Sequence, residues 1–177
     1  MKKSKHTIKK MVLSSMFLAL AIALPFLTGQ IPQIGKSLCP MHIPVILCGY
    51  ICGPIYALIV GFISPLFRSF LFGMPKIFPD GAVMCFELAA YGFISGILYR
   101  KLPAKKINIY ISLIAAMLGG RVVWGVVKAF ILGITGSEFG IKMFIMGGFV
   151  NAFPGIILQI VVIPLIVIAL EKNNKQQ

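Results

Sequence analysis

Apolar runs long enough to cross a bilayer, separated by loops almost free of acidic residues, constrain this chain more than any other feature. A lipid core about 30 Å thick asks for roughly 20 apolar residues per helix. Reading for such runs gives six segments, at about 8–28, 42–52, 55–72, 81–99, 107–132 and 143–170. With 59% apolar residues and only four acidic ones, a water-soluble domain would leave far too much apolar surface exposed. The expected fold is all-α, a six-helix polytopic membrane bundle forming a single domain over 1–177.

The second segment is short, and no polar residue separates it from the third. Gly53-Pro54 breaks the helix between them, because proline lacks a backbone donor and disfavours helix at the residue before it. A joint there is tolerable near the membrane only if protein or water satisfies its backbone groups. Gly29–Cys39 and Gly73–Asp80 read as loops. The N-terminus has the basic-then-apolar form of a signal peptide, but no small-x-small site follows the apolar run. The expectation is an uncleaved first helix.

The net charge of +13 invites a nucleic-acid reading that the positions of the charges oppose. Lys2, Lys3, Lys5, Lys9, Lys10, Arg100, Lys101, Lys105, Lys106, Lys172 and Lys175 all flank apolar runs, as topology determinants and lipid headgroup contacts do. With the N-terminus inside, these eleven fall on one side of the membrane, against Lys36, Lys76 and Lys142 on the other. Both termini are therefore expected in the cytoplasm of a bacterial cell, with lipid rather than nucleic acid as the surrounding partner. Cys39, Cys48, Cys52 and Cys85 show no metal-ligand spacing, so neither a metal nor another cofactor is expected.

Against this apolar background, Glu87, Arg121 and Lys128 lie inside the runs. A charge at bilayer depth costs roughly 2.5–3.5 kcal/mol on insertion scales, so it usually faces a protein-lined cavity and marks a ligand or ion path. Arg121, Trp124 and Lys128 stand at i, i+3 and i+7, which puts two cations and an aromatic ring on one helix face. That face suits something polar or anionic, although Lys128 also has the option of snorkelling to the interface. Counting ~1.5 Å per residue places Glu87, Arg121, Lys128 and Arg68 in the outer half of the membrane. Glu87 is expected either to pair with Arg121 or Arg68, or to touch ligand, with Tyr91 one turn below it. Asn151, Gly155 and Gln159 share one face of the sixth run. His42 opens the second run, either as an interfacial residue or as a ligand contact. These groups converge on a pocket that opens outward.

Several chemistries find no support. There is no HExxH, no DxD, no phosphate-binding glycine loop with Lys-Ser/Thr, and no Ser/His/Asp set at plausible depth. A membrane enzyme using Glu87 and His42 as acid and base meets poorly matched expected depths. A stand-alone secondary transporter or channel for a small anionic solute is the main alternative. It predicts polar groups through both membrane halves, whereas the inner half is nearly bare. Ser15, Ala19 and Ala23 recur every four residues in the first run. Small residues at that spacing let another helix approach closely, whether one of this chain or one of a partner.

The run Pro40-Met41-His42-Ile43-Pro44-Val45-Ile46-Leu47-Cys48-Gly49-Tyr50-Ile51-Cys52-Gly53-Pro54, entering a third helix over 55–72, resembles the substrate-binding S components of energy-coupling factor (ECF) transporters. The similarity extends over nearly the whole chain and is strongest to the riboflavin and pantothenate members. It implies a binding subunit, not an enzyme, that takes one vitamin into an outward pocket with 29–39 and 73–80 as lids. It also implies partners: a transmembrane coupling subunit docked on the Ser15/Ala19/Ala23 stripe, and two cytoplasmic ATPases that drive the loaded protein to topple in the bilayer. The excess of intramembrane cations favours an anionic vitamin held by charge-assisted hydrogen bonds, with pantothenate the first candidate.

Overall fold

The structure, a computed structural model, describes residues 2–28, 37–103, 105–136 and 140–174. No strand occurs among the described residues, and the all-α polytopic architecture follows from five helices long and apolar enough to cross a membrane plus two shorter apolar ones. Helix α1 (Lys2–Ala23) tightens into a 3₁₀ turn over Leu24–Thr28, where Pro25 removes a helical donor. Of the expected first loop, 29–36 lies outside the described residues.

Helix α2 (His42–Ile51) is the expected second span, but only half of one. Ten residues rise about 15 Å, and His42 through Tyr50 are all buried. One face, with Ile43, Ile46, Leu47 and Tyr50, packs on Tyr91, Ile109, Leu113, Met117 and Ile163. The opposite face, with Met41, Val45, Cys48 and Cys52, packs on Ala21, Ala57, Val60 and Leu88. The short helix is thus the core of the bundle, not one of its lipid-facing staves.

Helix α3 (Pro54–Phe72) starts at Gly53 and ends at Gly73, whose left-handed φ of 69° is a helix stop that glycine adopts without a Cβ penalty. At the α2–α3 joint, Gly53 has φ 111°, and Arg100 Nη2 donates to the Cys52 carbonyl at 2.9 Å. A side chain supplies what water cannot, as the sequence of that joint demands. An irregular π turn over Ile77–Gly81 then leads into α4 (Ala82–Lys101). Helix α4 crosses α2 at backbone contact. A Cβ on Gly49 would lie 2.7 Å from the Gly92 carbonyl, and one on Gly96 would lie 2.7 Å from Pro54 N. Small residues are what permit so close a crossing.

Helix α5 (Lys106–Ile134) is continuous over 29 residues. The sixth run is not. The chain forms α6 (Ile141–Ile145), a π turn over Met146–Val150, and then α7 (Phe153–Asn174). Pro154 accounts for the interruption: it cannot donate to the Val150 carbonyl, and its ring crowds that position. Asn151 N–H reaches back to the Met146 carbonyl at 2.9 Å, a π-type bond that widens the helix just before it stops. Hydropathy alone sees one apolar run over 143–170, because neither Gly147-Gly148 nor Pro154 interrupts its apolar character.

Candidate functional site

Three elements meet where the intramembrane charges lie. Helix α4 supplies Glu87 and, one turn later, Tyr91; α5 supplies Arg121; the start of α2 supplies His42. Arg121 Nη1 donates to Glu87 Oε1 at 2.8 Å, with both side chains buried. His42 Nε2 stands 3.5 Å from the same oxygen, the outer limit of a hydrogen bond. The His42 and Tyr91 rings meet edge to face with centroids 4.8 Å apart, a favourable aromatic geometry. Burial of a lone charge here would be prohibitive, so the pairing of Arg121 with Glu87 is what allows either residue in the core.

The sequence anticipates Glu87, Tyr91 and Arg121 as one cluster and leaves open whether Glu87 pairs with Arg121 or Arg68. The structure selects Arg121. His42 is a correction: its expected depth does not match that of Glu87, yet the two touch. The reason is that α2 is a half-length helix sunk among its neighbours, so its first residue sits at the level of Glu87 and not at the membrane surface.

Cys39 also belongs to the cluster, and sequence reasoning does not find it. Arg121 Nη2 lies 3.8 Å from its sulfur, and Cys39 takes a left-handed φ of 48°. That conformation costs a non-glycine residue roughly 1–2 kcal/mol. It turns the sulfur in toward the guanidinium just before Pro40. Nothing in the cysteine spacing signals this.

Beside the cluster lies a cavity of about 130 Å³, bounded by Tyr91 and Arg121, by Ile114, Met117 and Leu118 of α5, and by Phe149, Ile156 and Ile160. Its walls expose apolar surface only, so Arg121 contributes the carbons of its side chain and not its charged nitrogens. The guanidinium is not fully used: Arg121 Nε, like His42 Nδ1 and Gln159 Oε1, is buried with no hydrogen-bond partner. Buried unpaired polar atoms are rare and each asks for an explanation.

The other expected members go elsewhere. Lys128 Nζ reaches Asp80 Oδ1 at 2.6 Å, so it neither snorkels free nor enters the cavity. It ties α5 to the segment between α3 and α4. Trp124 packs on Phe144, with ring centroids 6.1 Å apart, and covers Gly147. Arg68 is remote from Glu87. Its Nη1 donates to the Ile22 carbonyl at 2.8 Å, and its guanidinium lies by the Phe26 and Phe72 rings, 5.4 Å and 5.8 Å from their centroids. Asn151 falls in the α6–α7 joint and is exposed, because the break at Pro154 separates it from the helix that carries Gly155 and Gln159. No group of His, Cys, Asp and Glu suited to a metal ion occurs among the described residues.

The small-residue stripe faces outward. Ser15, Ala19 and Ala23 are exposed, whereas Ser14 and Ala21 form the inner face of α1. Packing against the described helices of this chain therefore does not account for the stripe.

No curated protein and no solved structure matches the chain. The family model for the ECF transporter, substrate-specific component, matches residues 9–167. That span takes in every helix that builds the buried cluster and its cavity, on a multi-pass membrane chain. The chain belongs to the substrate-specific components of ECF transporters, and is accordingly a transport subunit that works with an ECF module on a vitamin-type substrate.

Proposed function

We propose that this subunit captures an anionic micronutrient, with pantothenate the first candidate, in the cavity beside Arg121 and delivers it to the cytoplasm. The observation that carries this reading is the buried Arg121–Glu87 pair beside an apolar cavity that Arg121 helps to line, with Arg121 Nε left without a partner. A carboxylate beside a buried guanidinium gains charge-assisted hydrogen bonds worth about twice neutral ones. The apolar walls suit the ligand's hydrocarbon body.

At about 130 Å³ the cavity is smaller than the ~300 Å³ at which ligand pockets usually begin. Loading therefore requires one wall to move. The wall made by the π turn, which carries Phe149, is the one that moves in this reading, because α6 buries no residue and the π turn buries only Gly148. Segment 73–80 acts as a lid tied down by Lys128–Asp80. The second proposed lid, 29–39, lies mostly outside the described residues. Both termini are cytoplasmic, following the side on which the basic residues cluster. The exposed Ser15/Ala19/Ala23 face docks on the transmembrane coupling subunit, ATP hydrolysis takes place on two separate subunits, and the loaded protein topples to release its ligand.

Equilibrium binding of pantothenate to the detergent-purified protein tests the site, and uptake into cells with and without the ECF module tests the role. Binding at micromolar concentration or below, with uptake only in the presence of the module, is expected. Uptake that persists without any ATPase would instead indicate a stand-alone secondary transporter. Ala19→Trp is expected to leave binding intact and to abolish uptake. Undiminished uptake by that variant would return the stripe to a purely structural role.

A further inference from the structure

We propose that the cavity between α5 and α7 holds the end of a phospholipid acyl chain, which enters sideways from the bilayer in the protein without substrate. This is independent of the identity of the transported ligand. The lining exposes apolar surface alone, so it offers water no hydrogen-bond partner and stays dry. Arg121 lends only its carbons, because its Nη1 is turned to Glu87 at 2.8 Å. To anything that enters, every wall is hydrocarbon.

Two of the lining residues also face the lipid. Ile114 and Leu118 stand one turn apart on α5 and are 46% and 52% exposed. On the facing wall, Ile156 and Ile160 stand one turn apart on α7 and are only half-buried. Behind these four, Tyr91 and Met117 close the cavity and are 1% and 7% exposed. The cavity is therefore a crevice with a mouth on the lipid side and a buried end. The exposed surface that continues from the mouth along each helix, Val122 on α5 and Val161 on α7, is apolar as well.

Depth selects the part of the lipid that fits. Counted from Lys106 at ~1.5 Å per residue, the cavity wall from Ile114 to Arg121 lies roughly 12–22 Å into a hydrocarbon core about 30 Å thick. That is the level of the bilayer midplane, which chain ends reach and headgroups do not. An apolar lining with nothing against it forfeits dispersion contacts over its whole surface, and the fluid at this mouth is hydrocarbon, which supplies them. At about 130 Å³ the cavity has room for a few methylene groups and not for a whole lipid. The inserted chain end fills the gap between α5 and Phe149 of the π turn and keeps the two from collapsing together.

Photo-crosslinking in nanodiscs of phosphatidylethanolamine and phosphatidylglycerol, with a diazirine near the end of one acyl chain of the phosphatidylglycerol, tests this without added substrate. Adducts mapped by mass spectrometry are expected on buried Tyr91 or Met117 as well as on lipid-facing Leu118 and Val122. In Ile160→Phe, which fills the cavity from the α7 wall, the adducts on Tyr91 and Met117 are expected to be lost and those on Val122 retained. Adducts confined to the lipid-facing residues of the wild-type protein overturn the proposal, and that map decides the question by itself even where the filling variant does not fold. Adducts on Tyr91 or Met117 kept in full by folded Ile160→Phe also overturn it, because the chain would then reach those residues by a route other than the cavity. Either failure leaves the proposed substrate standing, since no substrate is present.

Discussion

Two regions of the molecule are built differently. On one side, α2, α3 and α4 cross at backbone contact: Gly49 against Gly92, Gly96 against Pro54, Gly61 against Leu88. On the other side, α6 buries no residue, the π turn before α7 buries only Gly148, and Gly133, Gly136 and Gly140 have open space around them. Over their most apolar windows, 56% of the α4 span is buried but only 28% of the α7 span. The charged residues Glu87 and His42 belong to the tight side, and Arg121 leans across to it from α5. A buried ion pair needs fixed geometry to offset its desolvation, whereas a wall that admits a ligand must yield. The contrast assigns holding the charges to one half of the molecule and admitting the substrate to the other.

The largest way to break this contrast is to force the tight side apart. A Cβ on Gly92 would lie 2.7 Å from the Ala57 carbonyl, so Gly92→Leu is expected to abolish the monodisperse folded protein in size-exclusion chromatography. Overpacking typically costs 1–3 kcal/mol even where neighbours can shift, and here the neighbour is backbone. Next comes Arg121→Leu, which leaves Glu87 buried without its cation. Removing one partner of a buried pair costs about 3–5 kcal/mol, so a clear fall in melting temperature is expected along with at least ~100-fold weaker ligand binding. Adding Glu87→Gln to that variant is expected to restore most of the stability and none of the binding, since an uncharged pair needs no counter-ion but offers the ligand none.

Smaller effects fall on the looser side. Asp80→Asn breaks the pair with Lys128, in which Asp80 is 39% exposed. Such pairs are worth about 0–1 kcal/mol, so stability should hardly change, while faster ligand exchange in stopped-flow binding is expected if 73–80 is a lid. Smallest of all, Gly133→Ala in the last turn of α5 meets nothing within 4 Å and should be neutral or raise stability by up to about 1 kcal/mol through helix propensity. A large loss there would show that the open side is packed as tightly as the other.

Much of the long-helix framework is legible in the sequence, because apolar run length reports directly on bilayer crossing. Glu87, Tyr91 and Arg121 are legible as a cluster for a related reason: charges at depth must find each other. What hydropathy does not report is where a short apolar helix sits. Helix α2 reads as a thin span, yet it is the core, and this is why His42 meets Glu87 against expectation. Pro154 is visible in the sequence, but its consequence, the separation of Asn151 from the rest of α7, depends on reading the backbone donor and not the apolar average. Arg68 and Lys128 find local partners, the Ile22 carbonyl and Asp80, that depth alone does not distinguish from the buried cluster. Cys39 enters through a left-handed turn that no residue type announces.

The central claim is that the cavity beside Arg121 holds the transported ligand. Native mass spectrometry of the detergent-purified protein, wild type and Arg121→Leu in parallel, tests it most directly. A co-purified mass, or one gained from a panel of carboxylate vitamins, that is present in the wild type and absent from the folded variant is the predicted result. The same mass retained in full by Arg121→Leu, or a wild-type protein that stays empty across the panel, would contradict the account.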